Sequence, residues 1–159
     1  KGEVLLEGES LTYNLIIDGG VNTDTGAKNE LALKAPVNDL EREEDKDGVW
    51  RHFVNTALQV DYQQVFSRLD RFVMLKAPSF SAVENWREQQ EARLRESVVS
   101  NNLDGSNVMS PRQIRRFIAH YQRITEHALD TLAPKANDLF ELNENRLIQD
   151  RVIGKGLLL

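Results

Sequence analysis

The chain has no cysteine, which excludes a disulfide framework, thiolate metal ligands and a cysteine nucleophile. It has no apolar run near the roughly 20 residues that a membrane-spanning helix needs. No apolar stretch follows its first residues, Lys1-Gly2-Glu3, so nothing there reads as a secretory leader. That start, without Met, raises the expectation of a chain that begins inside a longer one, and a soluble cytoplasmic protein is the default expectation. Excess positive charge is also missing: 20 basic residues stand against 25 acidic ones, a net charge of −5. This argues against a general nucleic-acid binder or a protein drawn to anionic membranes. The basic group Arg112, Arg115, Arg116 and Arg123 lacks the interleaved exposed aromatics of a single-strand binder. Histidine is scarce, and His52, His120 and His127 contain no i,i+4 pair of the kind that grips a metal from one helix face.

What is present suits one globular domain. A length of 159 residues, 40% of them hydrophobic, is enough to bury a core. The apolar run Tyr13–Asp18, stopped by Gly19-Gly20, reads as a buried strand, and Glu3–Glu7 as another. Residues 19–35 read as a loop. Trp50, Phe53, Val54, Ala57 and Leu58 fall at helical spacing and form an amphipathic stripe, continued through Tyr62, Val65, Phe66 and Leu69. Arg71–Ala77 is the clearest strand, closed by Pro78. Ser79 reads as the N-cap of a charged helix reaching about Val99. Ser110-Pro111-Arg112-Gln113 is a capping box with proline at the first helical position. The stripe that follows it, Ile114, Phe117, Ile118, Tyr121, Ile124 and Leu129, predicts one long helix ending before Pro134. Asp138–Leu142 suits a last strand. Strands separated by helices predict an α/β fold with a mostly parallel sheet flanked by helices.

Four segments carry a resemblance: PVNDLEREEDKDGVWRHFVN (36–55), RFVMLKAP (71–78), WREQQEARL (86–94) and MSPRQIRRFIAHYQRIT (109–125). In this order they resemble the glycerate kinase-like branch of the P-loop kinases, relatives of uridine kinase and phosphoribulokinase, over about two thirds of the chain. The resemblance divides the single domain 1–159 into a divergent strand and loop region (1–35), a kinase-like region (36–142) with a lid-like helix (80–99), and a C-terminal tail (143–159). It implies ATP and magnesium as cofactors and a small hydroxyl-bearing acceptor, with glycerate the natural guess.

The phosphate cradle such a kinase needs is not in the chain. A P-loop requires G-x-x-x-x-G-K-[ST] between a strand and a helix, because backbone N–H groups and the helix N-terminus surround the phosphates. The nearest string, Gly20–Lys28, has a spacer too many, Ala27 between Gly26 and Lys28, and Asn29 where a Ser or Thr should stand. It reads as a surface loop. In the related kinases a strand ends in Glu-Gly, and that acid lies near magnesium. Leu5-Leu6-Glu7-Gly8 and Ile16-Ile17-Asp18-Gly19 both correspond, so Glu7 and Asp18 are alternatives, the spacing to Asn38 leaning to Asp18. An acid ending a strand beside Gly suits a hydrated magnesium ion.

Asn38 falls in the stretch that the resemblance sets beside the acceptor. Glu41, Glu43, Glu44 and Asp45 read as a solvated acidic helix, with Asn38 and Asp39 as its capping residues. In the lid-like helix, Arg87 and Arg95 lie two turns apart on one side, and the resemblance gives them the nucleotide phosphates. Planar guanidinium groups neutralise spreading phosphoryl charge bidentately. Arg93 points nearly the opposite way. The plain alternative is an exposed helix with Glu84–Arg87, Arg87–Glu91 and Glu91–Arg95 pairs. For the 159 residues alone no turnover is expected. The other expectation is a non-catalytic kinase relative that binds a protein partner or forms a homo-oligomer through exposed sheet surface.

Overall fold

The computed structural model describes residues 3–7, 10–14, 33–67, 69–106 and 108–153. Its helices begin where the polar caps stand. Asn38 opens α1 (Asp39–Glu44), its Oδ1 accepting the Glu41 N–H at 3.0 Å. Ser79 opens α4 (Phe80–Ser100) by accepting the Ala82 N–H. Ser110 opens α5 (Pro111–Ala119) with the full capping box: its hydroxyl accepts the Gln113 N–H while Gln113 Oε1 accepts the Ser110 N–H at 2.8 Å. Each satisfies amide donors that a helix start leaves orphaned. Gly48, before α2 (Val49–Val60), holds a left-handed φ of 72°, and a Cβ there would lie 2.9 Å from His52 Nδ1. Only glycine makes that turn without strain.

The stripe expected to continue beyond α2 yields only the short α3 (Gln63–Phe66) after a turn at Asp61–Tyr62. The one long helix expected from 111 is two. It breaks after α5, where His120 and Tyr121 donate to Phe117 and Ile118 in tightened i→i−3 turns, and resumes as α6 (Gln122–Thr131). Asn38 holds this break from outside, its Nδ2 donating to the Ala119 carbonyl at 2.8 Å and to Gln122 Oε1 at 3.1 Å.

Strands β1 (Glu3–Glu7) and β2 (Ser10–Asn14) form an antiparallel hairpin. The strand expected over 13–18 thus enters at Tyr13 and Asn14, and its remainder lies outside the described residues. A three-stranded sheet runs in the order β3 (Val73–Lys76), β4 (Asp138–Leu142), β5 (Ile148–Ile153). Among the described residues this sheet is small and mixed: β3 and β4 pair in parallel, β4 and β5 antiparallel. The reason is the length of the second connection. Residues 143–147 turn back with Asn143 N–H donating to the Leu147 carbonyl, and a parallel return needs a crossover of a dozen residues or more. Strand β5 lies in what was expected to be a tail.

The core sits on one face of this sheet. Met74 and Leu139 pack there with Ala128 and Leu132 and with Ala136 beyond the short 3₁₀ turn at Ala133–Lys135, ringed by Leu69, Phe72, Leu129 and Ala133. The opposite face carries Val73, Leu75 and Ile153, exposed by 51%, 65% and 71%. Among the described residues no helix is long and apolar enough to cross a membrane.

Candidate functional site

The acidic run in α1 does not all face water. Glu41 and Asp45, one helical turn apart, are buried, while Glu43 stays exposed. The expectation of a solvated acidic helix is corrected for these two, because arginines from elsewhere neutralise them. Arg123 of α6 donates Nε and Nη2 to the Glu41 carboxylate at 2.9 and 2.6 Å, and the Val37 N–H adds a third bond. Arg51 of α2 sits 3.2 Å from Asp45 and also donates to the Leu33 carbonyl. Asp45 in turn accepts the Trp50 and Arg51 amides, capping α2 from outside. Burial opposes ionisation of Glu41, but the Arg123 bond, the Val37 amide and the charges of Arg123 and Arg51 outweigh it and hold its pKa below the ordinary value. The exposed Glu44 pairs with Arg116 of α5, whose bond lowers the Glu44 pKa. Helices α1 and α2 are thereby bolted to α5 and α6.

Between these pairs lies a cleft of about 190 Å³. Trp50, Val54 and Leu58 of the α2 stripe line one wall; His120, Ile124, Glu126 and His127 line the other. The stripe expected to be buried is therefore half covered: Trp50 is 41% exposed, and Phe53 faces outward at 71%. The Trp50 and His120 rings meet edge to face, 5.4 Å between centroids.

The lid-like helix holds its arginines differently from an open lid. Glu91 of α4 is 1% exposed and accepts the Met109 N–H at 2.7 Å. Its other oxygen lies 3.0 Å from Arg87 Nη2, an ion pair without good hydrogen-bond alignment. Arg95 donates to the Met109 carbonyl at 3.0 Å, so Glu91 and Arg95, one turn apart, grip both backbone groups of one residue. Arg87 also bonds Gln90 and lies over the Phe117 ring. On the far side, Trp86 Nε1 donates to the Glu144 carbonyl and Arg146 to Gln89. Of the pairs expected along this helix, Arg87–Glu91 is present, and Arg95 reaches Met109.

Of the other site residues expected, Glu7 ends β1, and nothing is described of its side chain; Asp18 and the loop Gly20–Lys28 lie outside the described residues. Asn38 has its side chain fully engaged at the α5–α6 break, so it positions helices. Among the described residues no group of three or more His, Asp or Glu side chains is placed to hold a metal ion. Glu41, Asp45, Arg51 and Arg123 were missed as a cluster. The signal available was the four-residue spacing of Glu41 and Asp45, which sets both on one face.

No family model matches the chain, and no curated protein matches it. Among solved structures, D-glycerate 3-kinase from Cryptococcus neoformans var. grubii serotype A is similar, with a TM-score of 0.54 and 27% sequence identity. The match covers 64% of this chain and 35% of that kinase, so the chain spans about a third of that kinase's length. In fold and sequence, this chain resembles part of that D-glycerate 3-kinase.

Proposed function

We propose that this chain is part of an ATP-dependent kinase of P-loop type that phosphorylates a hydroxyl of a small, glycerate-like acceptor. The observation that carries the reading is the structural likeness to a D-glycerate 3-kinase. In this reading the mixed sheet belongs to a larger, mostly parallel one. The acceptor lies in the cleft between α2 and α5–α6, and Asn38 fixes the cleft's far wall. When bound, Mg-ATP supplies the phosphoryl group, with Glu7 or Asp18 on its magnesium side. Arg87 and Arg95 turn their remaining N–H donors to the phosphates, and positioning and charge neutralisation provide most of the rate. Without a G-x-x-x-x-G-K-[ST] string, the 159 residues alone are expected to bind nucleotide weakly and to turn over none.

The test is calorimetric titration of the chain with Mg-ATP, beside Arg87→Lys. Lysine is the right replacement because it keeps a positive charge beside the buried Glu91 while losing the bidentate fork. Saturable heat that Arg87→Lys weakens supports phosphate binding on α4. No heat at millimolar nucleotide sinks that role for this chain.

A second reading is favoured by the exposed apolar sheet face of Val73, Leu75 and Ile153. Here the chain is a non-catalytic kinase relative that associates with a second copy of itself.

A further inference from the structure

The cleft beside α2 is lined by paired charges and by neutral polar groups. Its charges are spent on one another: Arg123 is paired with Glu41, and Arg51 with Asp45. Glu126, on the same wall as His120, accepts a bond from Gln122 and has no cationic partner among the described residues. An anionic group entering here meets a bare carboxylate before any guanidinium free of one.

The uncommitted groups are neutral. His120 Nδ1 lies 2.8 Å from the Arg116 carbonyl; a carbonyl only accepts, so Nδ1 carries the proton. In the neutral ring Nε2 is then an acceptor, and it has no partner among the described residues. The Trp50 indole N–H, a donor only, likewise has none, and its ring touches that of His120. Asn55 lines the same cleft with an amide that both donates and accepts. A donor beside an acceptor is the complement of a hydroxyl, which accepts from one and donates to the other. The volume of about 190 Å³ suits a few carbons, below the roughly 300 Å³ at which pockets for larger ligands begin.

We propose that this cleft recognises the hydroxyl groups of a compact polyhydroxy ligand, through Trp50 Nε1–H and His120 Nε2, and leaves any carboxylate of that ligand outside. The proposal deepens the kinase reading and rests on it for the ligand's role as acceptor; binding itself needs no nucleotide.

The test follows the His120 ring nitrogens and the Trp50 indole resonance by NMR, at mildly alkaline pH where an imidazole is neutral. The probes are glycerol, D-glycerate, acetate and inorganic phosphate. Glycerol and D-glycerate are expected to shift both resonances saturably, acetate and phosphate neither. Trp50→Phe keeps the ring and removes the donor, and is expected to weaken binding about fivefold, the loss of one neutral hydrogen bond. Unchanged shifts elsewhere show that it folds. No shift with glycerol or D-glycerate overturns the proposal, and so does acetate or phosphate binding as well as D-glycerate. Absence of Mg-ATP heat with polyol binding intact would instead sink the phosphate role of α4 and leave the cleft assignment standing.

Discussion

Glu41 shows how one side chain joins two parts of the chain. Its carboxylate takes both prongs of Arg123, 82 residues away, and the amide of Val37. Because its folded pKa is depressed, the stability it contributes is fully present above the ordinary value of 4.5 and is lost as pH falls through the lower folded value. Glu41→Gln leaves Arg123 without its counter-charge. Removing one partner of a buried pair costs about 3 kcal/mol, reduced to about 2 kcal/mol here because the Arg123 side chain is 19% exposed. The loss should be full at neutral pH and shrink as pH drops below about 4.5, read from urea midpoints across a pH series. A gap of constant size at every pH would refute the ion-pair account. The sequence displayed the charges of residues 41–45 but not their fate. Burial of a carboxylate depends on the partner that tertiary folding delivers, and neither Arg123 nor Arg51 announces its partner by spacing.

Among the elements, α4 is a strut held on both sides. Glu91 and Arg95 seize Met109, and Trp86 and Gln89 hold the β4–β5 turn. Arg87→Ala would strand Glu91, 1% exposed, with a bond to Met109 but no counter-charge. We expect a loss of about 3 kcal/mol, largely restored by adding Glu91→Gln, since the cost lies in the uncompensated charge. Thermal or urea unfolding of the two single variants and the double variant measures the coupling; strict additivity would contradict it. The capping box of α5 is a simpler case. Ser110→Ala should cost about 1 kcal/mol in urea unfolding, the usual size of a lost N-cap, and no change would mean that the helix start is held by its neighbours instead. Such local chemistry was legible: the caps at Ser79 and Ser110 and the strand before Pro78 need only adjacent residues. The break at His120–Tyr121 was not, because the apolar stripe runs on through it and the Asn38 amide that braces it comes from another helix. Nor was β5, whose residues are exposed on both faces and so show no alternation between apolar and polar positions.

For the whole molecule, the sheet has two unlike faces. One face holds the core; the other presents Val73 and Leu75 from β3 and Ile153 from β5. Between them Asp138 is buried beneath Arg71 and Arg151, whose bonds lower its pKa, and Arg151 lies over the Phe140 ring. This face therefore mixes exposed apolar side chains with paired charges: Val73 and Ile153 flank Asp138, and Leu75 lies in line with Phe140 and Arg151. Strand β3 also ends the sheet, so its outer edge has no strand partner among the described residues. If a second copy covers this face, sedimentation velocity should show mass rising with concentration. The rise should persist in high salt, because burial of apolar surface is not screened as ion pairs are. Leu75→Lys places a charge on this face, at a position 65% exposed in the single chain, and should abolish the rise without lowering the unfolding midpoint. A chain that stays monomeric throughout would remove self-association and leave the kinase reading unopposed. Association that Leu75→Lys leaves intact would move the interface to another surface of the molecule.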